Sequence, residues 1–233
     1  MFWIAAALAH TCEDVELAEI VDRPAPAVVI LGERHGSKDD MKRALSVVEA
    51  LAARGPVTLA MEAVHESNQG VLEQYVSGEV KTGKLPDALH WSKTWGFPWK
   101  PYKKLVTAGK RGIPVVAAGL DLGKKPDGIE IELPEGYDAF LAKSMEGHMH
   151  QMSEEIRARF ATSMAWRDFR IGELAVKGWS GEGYLVILVG RGHVEGGMGT
   201  NWQVPKLVEA PVFSVVLNHD DARCLEGDRV WSD

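Results

Sequence analysis

Two segments of the chain repeat one pattern that pairs glycine with histidine. Residues 28–35 read VVILGERH and residues 186–193 read VILVGRGH, so four apolar residues precede Gly-x-x-His in each copy. Glu33 lies within the first copy, and Glu62 follows a third apolar run, VTLAM at 57–61. Imidazole and carboxylate groups bind divalent metals, and together they serve as general acid and base for activating water. The pattern therefore indicates a polar site suited to metal binding or hydrolysis.

The apolar runs that precede these residues are typical of strands buried on both faces of a parallel sheet. Further apolar runs at 113–118 and 212–217, with helical patterns between the runs, predict an α/β fold with a mostly parallel sheet flanked by helices. Residues 137–177 hold too much helix for one crossover and predict a helical cap. We expect one α/β domain over residues 27–233, preceded by a segment, 1–26, that is a weak signal or a first helix.

In a parallel sheet, ligands bind in the crevice outside the carboxyl ends of the strands. Four side chains are expected to meet there as metal ligands or catalytic groups: Glu33, His35, Glu62 and His193. Three glycines are expected to border the ligand: Gly32, Gly190 and Gly192. Gly32 and Gly190 suit a sharp turn of positive φ at the exit of a strand, and Gly192 permits close approach of the backbone to a ligand.

A second feature is an aromatic loop, defined here as residues 91–102. It carries five aromatic side chains and is interrupted by Gly96 and Pro98. One interpretation is a small satellite core beneath a long loop. The other is an apolar wall beside the polar site, suited to a flat aromatic or peptide ligand. In that case Trp95, Trp99 and Tyr102 are the expected ligand contacts.

The composition excludes several classes of protein. With 26 Lys and Arg against 33 Asp and Glu, the 233 residues carry a net charge of −7, and an acidic chain without a basic stripe is not expected to bind nucleic acid.

The apolar run at 2–9 follows no Lys or Arg, unlike a secretory signal. We therefore expect a cytoplasmic protein, associated with a membrane only if its N-terminus is processed. Cys12 and Cys224 are expected to be free thiols.

Over roughly residues 27–200 the chain resembles the ChaN-like haem-binding uptake proteins of the Tiki/ChaN superfamily. The resemblance rests on five segments: LGERHGS (31–37), AMEAVHESNQGVLEQYVSGEV (60–80), WSKTWGFPWKPY (91–102), IPVVAAG (113–119) and VGRGHVEGGMG (189–199). The hallmark of that superfamily is two Gly-x-x-His motifs plus a glutamate. The matching positions here are Gly32 with His35, Gly190 with His193, and Glu33 or Glu62.

The resemblance implies an α/β fold and haem as cofactor, with a role in haem or iron uptake or handling. ChaN-type members often form dimers and are often exported lipoproteins, so it also implies a homodimer and a periplasmic or lipid-anchored location. Tiki-type relatives are metal-dependent proteases, and erythromycin-esterase-like relatives are hydrolases. The same His and Glu residues would then serve with Mn, Co or Zn. Three interpretations remain: a haem-binding protein with an axial Tyr or His, which we favour, a metal-dependent hydrolase, and a non-catalytic scaffold.

Overall fold

The structure is a computed structural model, and it describes residues 12–120, 129–144, 153–217 and 229–231. Within these ranges seven strands form one sheet in the order β1-β7-β6-β2-β5-β3-β4, and every neighbouring pair is parallel. The strands are β1 (Glu13–Asp14), β2 (Ala27–Glu33), β3 (Val57–His65), β4 (Val115–Gly119), β5 (Tyr184–Gly190), β6 (Val212–Leu217) and β7 (Arg229–Trp231). The predicted α/β fold with a parallel sheet is confirmed.

Helices cover both faces of this sheet. In chain order they are α1 (Leu17–Val21), α2 (Lys38–Ala52), α3 (Gln69–Ser77), α4 (Leu85–Ala88), α5 (Trp91–Thr94), α6 (Trp99–Val106), α7 (Tyr137–Ser144), α8 (Glu154–Lys177) and α9 (Thr200–Gln203). Short 3₁₀ turns lie at Glu66–Asn68, Ala108–Arg111, Arg191–His193, Glu195–Gly197 and Val204–Lys206. No helix in the described ranges is both long and apolar enough to cross a bilayer.

The continuous apolar runs occupy the middle of the sheet, where both faces of a strand are covered. In β2, Val29 and Leu31 belong to the core beneath α2, whereas Val28 and Ile30 belong to the core beneath α8. Successive residues of a strand point to opposite faces because the side-chain period is two. The same alternation applies to polar residues at the strand ends, so two consecutive residues there point to opposite faces of the sheet and contact different helices.

Capping residues in the sequence explain where two of the helices begin and end. Ser37 caps α2 by accepting a hydrogen bond from the backbone of Asp40 at 3.2 Å, and two acidic residues occupy the first turn. Gly78 ends α3 in the left-handed conformation, with φ at 91°. The helical cap predicted over 137–177 consists of α7 and α8, and α8 packs on β3, β4 and β5. Residues 145–152 of the predicted cap lie outside the described ranges.

Three expectations need correction. The sequence predicts five strands, whereas the described sheet has seven, because the short edge strands β1 and β7 have no apolar run long enough to reveal them. Residues 91–99 of the aromatic loop, expected to lie in a loop, contain α5 and the first residue of α6. Cys12 is disulfide-bonded, so the expectation of a free thiol there is wrong, and Cys224 lies outside the described ranges.

Candidate functional site

The first Gly-x-x-His motif forms a hydrogen-bonded chain at the end of β2. Glu33, the last residue of β2, is buried, and its Oε1 atom lies 2.6 Å from Nδ1 of His35. The same oxygen accepts a hydrogen bond of 2.9 Å from the hydroxyl of Tyr102 on α6. Burial raises the pKa of Glu33, while its bonds to His35 and Tyr102 act in the opposite direction. A carboxylate that accepts Nδ1–H leaves Nε2 of His35 as the free lone-pair atom.

The ring of His35 faces an open rim lined by aromatic side chains. Its side chain is 32% exposed, and its ring centroid lies 4.5 Å from that of Trp95 and 5.1 Å from that of Phe97. Within the described part of the chain, Nε2 has no hydrogen-bond partner. This nitrogen lies 2.8 Å from the position that a Cβ atom at Gly190 would take. His35 therefore presents an imidazole nitrogen above the end of β5.

Glu62 occupies the opposite face of the sheet. It is buried in β3, and Oε1 accepts a hydrogen bond of 2.7 Å from Nη2 of Arg167 on α8. Its other oxygen, Oε2, accepts a hydrogen bond of 2.7 Å from the backbone of Gly190. Nε2 of His193 lies 3.2 Å from Oε1. Three donors thus share this carboxylate, and because of His193 and Arg167 its pKa is well below its usual range even though burial alone would raise it.

His193 lies between two carboxylates and differs in role from His35. It is 4% exposed, its Nε2 faces Glu62, and its Nδ1 lies 2.7 Å from Oδ1 of Asp168. Burial alone would lower the pKa of His193, but Glu62 and Asp168 raise it to about 10. At neutral pH the ring is an imidazolium that donates from both nitrogens, and such a ring has no lone pair for a metal.

The two glycines that begin the motifs allow close approach between the motifs. A Cβ atom at Gly32 would lie 3.0 Å from Cα of Arg191 and 3.2 Å from Cβ of Val194, both beside the second motif. A Cβ atom at Gly190 would lie 2.6 Å from Cε1 of His35 in the first motif. Neither glycine has a positive φ, so the expected turn conformation is wrong and contact is the reason for glycine. Gly192 has open space around it.

The aromatic loop has two sides. Trp95 and Phe97 contact His35, as a wall beside the site would. Trp99 packs against Trp91 at 4.9 Å between ring centroids and lines a cavity of about 570 Å³, whose lining includes Phe97 but neither His35 nor Trp95. Tyr102 is fully buried, and its hydroxyl accepts a 2.8 Å hydrogen bond from the backbone of Gly36 while donating to Glu33. It supports the rim from below, and as an iron ligand it would have to leave both partners.

The predicted polar residues therefore meet at one edge of the sheet, but as two hydrogen-bonded sets. One joins Glu33, His35 and Tyr102, and the other joins Glu62 to His193. Among the residues that the structure describes, no group of three or more His, Cys, Asp or Glu side chains is arranged to hold a metal ion. The metal-ligand assignment of these residues stays a prediction.

Sequence reasoning missed Arg167 and Asp168, which α8 contributes to the second set. One signal for Asp168 exists in the helical period. The buried positions of α8 are small or apolar at Ala161, Ala165, Ile171, Gly172 and Ala175, and the charged residue at 168 occupies the same buried stripe. A charge in the core stripe of a helix predicts a buried partner.

The fold and the site together place the chain in a class: parallel α/β domains with a polar crevice at the carboxyl edge of the sheet, where such folds bind ligands. A family model described as haem-binding uptake, Tiki superfamily, ChaN, matches residues 24–125, which include the first motif, Glu62 and the aromatic loop. The resemblance to the ChaN-like family is confirmed. A comparison with curated proteins found no match.

Solved structures show the same fold. The ChaN protein of Campylobacter jejuni, described with cofacial haem binding, superposes with a TM-score of 0.66 at 17% identity, over 83% of this chain and 82% of that one. The type III effector HopBA1 superposes with a TM-score of 0.50 at 15% identity, over 93% and 92%. The C-terminal region of Pasteurella multocida toxin superposes with a TM-score of 0.51 at 15% identity, over 88% of this chain and 25% of that chain.

Proposed function

We propose that this protein binds haem at the carboxyl edge of the sheet, in haem or iron uptake or handling, with His35 as the residue that would hold the iron. The observation that carries the proposal is the state of His35. Its Nδ1 is fixed by Glu33 at 2.6 Å, its ring lies against Trp95 and Phe97, and its Nε2 is left without a partner in the described structure. A neutral imidazole oriented by a carboxylate is a common ligand arrangement for metals.

His193 is the poorer choice for this role. Its two nitrogens are already directed to Glu62 and Asp168, and its ring is almost fully buried. Binding iron through His193 would require it to lose a proton and to leave a carboxylate unpaired in the core, which is costly. The two motifs are alike in sequence, yet only His35 is available to a ligand.

The residues around His35 fit a planar, apolar group. Trp95 and Phe97 provide aromatic faces, and Phe97 is one of the few large apolar side chains exposed in the described chain. One buried polar atom here, Oε2 of Glu33, has no hydrogen-bond partner among the described residues. Such atoms are rare in folded proteins, and a functional role is one explanation for them. Bound haem would supply an iron centre, while the chain supplies orientation and an apolar wall.

The test is a haemin titration followed in the Soret region, with His35→Ala and His90→Gln alongside the wild type. His90 is a matched control because it is an exposed histidine that lines the 570 Å³ cavity, which His35 does not line. We expect saturation near one haem per chain for the wild type and His90→Gln, and loss of the band for His35→Ala. A flat wild-type titration would overturn the proposal. Loss in His90→Gln alone would move the haem to the other cavity.

A metal-dependent hydrolase is the second candidate, and a specific observation favours it. Tyr102, Glu33 and His35 form a chain of hydrogen bonds that ends at a free Nε2. This arrangement suits a general base, with Glu33 orienting the ring that takes a proton from water. Lewis-acid chemistry from a divalent Mn, Co or Zn ion would need ligands besides His35, and the described residues do not offer a set of three His, Cys, Asp or Glu side chains for it.

Peptidase and esterase assays separate this candidate from haem binding. Hydrolysis predicts an activity that a chelator removes and Mn, Co or Zn restores, and that Glu33→Gln strongly reduces. A scaffold predicts that the double substitution His35→Ala with His193→Ala changes neither the haemin spectrum nor any activity while the chain stays folded. The implied homodimer is tested separately by light scattering with and without haemin.

A further inference from the structure

Helix α8 places two consecutive charged residues against the polar site from outside both motifs. Nη2 of Arg167 donates to Glu62 at 2.7 Å, and Oδ1 of Asp168 accepts from Nδ1 of His193 at 2.7 Å. Asp168 is 2% exposed, so this carboxylate has been removed from water. A buried carboxylate is retained only where its partners compensate for the loss of hydration.

A series of contacts links Asp168 to Gly190, the residue that lies directly beneath the ring of His35. The hydroxyl of Thr200 donates to Oδ1 of Asp168 at 3.0 Å, and that oxygen also holds His193. His193 then faces Glu62 at 3.2 Å, and Glu62 accepts the backbone N–H of Gly190 at 2.7 Å. Every step is a hydrogen bond or close ion pair between buried groups.

Gly190 is where this chain of contacts meets the first motif. It is paired in register with Glu33, and a Cβ atom on it would meet the ring of His35, which lies directly above it. A shift of Gly190 by a few tenths of an ångström therefore changes the space beneath the imidazole. Ligand geometry tolerates only about 0.5 Å of misplacement before function suffers.

We propose that Asp168 is a positioning residue for the site: it orients His193, which with Arg167 fixes Glu62 and, through Glu62, the floor of the site at Gly190. This inference rests on the proposed function, because His35 is taken as the ligand-facing group. Asp168 does not touch the ligand and acts through other residues. The second Gly-x-x-His motif is accordingly a support for the first.

The charge of Asp168, more than its volume, is what the arrangement uses. His193 donates to one carboxylate from each nitrogen, so Asp168→Asn keeps the shape but removes one of two anionic partners. A direct outer-shell partner of a ligand-holding histidine typically changes affinity by about ten- to a hundredfold when it is replaced. Asp168 acts more remotely, through His193 and Glu62, so we expect haemin affinity to fall by up to about tenfold.

The experiment compares Asp168→Asn and Asp168→Ala with Glu173→Gln as the matched control. Glu173 is also an acidic residue of α8, but it pairs with Arg170 near the surface, 42% exposed. Two readouts are taken on the folded full chain: the haemin affinity, and the amide resonance of Gly190 with the ring N–H signals of His193 in NMR spectra. Thr200→Val is a milder variant that removes one hydrogen bond from Asp168.

Asp168→Asn is expected to shift the Gly190 and His193 signals and to weaken haemin binding by up to about tenfold at an unchanged Soret maximum. Thr200→Val should shift the same signals less, and Glu173→Gln should shift neither. Wild-type signals and affinity in a folded Asp168→Asn would overturn the proposal. So would an effect of Asp168→Ala alone, because Asp168 would then only fill space. If the wild type binds no haemin, the proposed function fails while the NMR signals still test the positioning role.

Discussion

His35 lies directly over Gly190, with Nε2 only 2.8 Å and Cε1 only 2.6 Å from where a Cβ atom at Gly190 would be. The two residues come from different Gly-x-x-His motifs, 155 positions apart in the sequence. Gly190 ends β5, and His35 lies two residues beyond the end of the neighbouring strand β2. The glycine of the second motif thus makes room for the histidine of the first. This contact explains the glycine at position 190 and makes it a sensitive position.

Gly190→Ala should displace His35 without disturbing the backbone. The φ angle at Gly190 is −59°, which alanine adopts freely, so the added methyl group acts only through its clash with the ring. We expect the free energy of unfolding to fall by about 1–3 kcal/mol, as in other overpacked sites, and haemin affinity to fall with it. Urea denaturation and Soret titration measure the two effects.

Gly192→Ala provides the control, because a Cβ atom there would have no neighbour within 4 Å. It should leave the free energy of unfolding unchanged. Wild-type haemin binding by Gly190→Ala would show that the ring of His35 is not constrained from below.

Tyr102→Phe tests whether the tyrosine supports the rim or faces the ligand. The change leaves Glu33 without its 2.9 Å donor and the backbone N–H of Gly36 without its 2.8 Å acceptor. Oε1 of Glu33 keeps its contact with His35, so the main loss is the acceptor of Gly36, and we expect the free energy of unfolding to fall by about 1–3 kcal/mol. The Soret maximum should stay where it is, since the hydroxyl lies inside the core.

Tyr75→Phe is the matched control for this measurement. Tyr75 is a buried tyrosine of the same core, but its hydroxyl has only a 3.3 Å contact with Thr82. Its loss should cost less than that of the Tyr102 hydroxyl. A vanished Soret band in a stable Tyr102→Phe would instead identify Tyr102 as the iron ligand.

The meeting of the polar residues could be predicted from the sequence because the apolar runs fixed where the strands end. Glu33 and Glu62 each follow such a run, and parallel strands bring their carboxyl ends to one edge. The division into two sets could not be predicted in the same way. It depends on which face each residue takes, and Glu33 reaches α6 while Glu62 reaches α8.

The different roles of the two histidines were also beyond the sequence. His193 becomes an imidazolium because Glu62 and Asp168 both contact it. Asp168 lies on α8, 25 residues before His193, and the motif itself does not predict that contact. The apolar stripe of α8 predicts only that the helix caps the sheet. Asp168, which interrupts that stripe, indicates a buried polar contact, but its partner His193 is known only once the helix is placed on the sheet.

Arg167→Met should destabilise the protein far more than Arg170→Met. Arg167 is 13% exposed and pairs with the buried Glu62, so its removal leaves an uncompensated charge in the core, which typically costs about 3–5 kcal/mol. Arg170 pairs with Glu66 and Glu173 at the surface, where such pairs contribute about 0–1 kcal/mol. Urea denaturation of the two variants measures the difference. Equal losses would show that Glu62 does not depend on Arg167 for its charge.

His193 should make stability depend on pH above neutrality. In the folded chain the pKa of His193 is about 10, because Glu62 and Asp168 outweigh burial, whereas an unfolded histidine has a pKa of about 6.5. The protonated ring therefore stabilises the fold fully below about pH 6.5, and this stabilisation is lost as the pH rises towards 10. The slope approaches about 1.4 kcal/mol per pH unit between the two values.

Urea denaturation from pH 6 to pH 10 measures this slope, with His193→Gln beside the wild type. Groups that titrate in both proteins, such as lysines, cancel in the difference between their free energies of unfolding. We expect that difference to be constant near pH 6 and to shrink steadily above pH 6.5, with His90→Gln following the wild type because its ring is exposed. A difference that does not change with pH would show that His193 is neutral in the folded protein. In that case Nε2 would regain a lone pair, and His193 would become a competitor to His35 as the ligand-binding histidine.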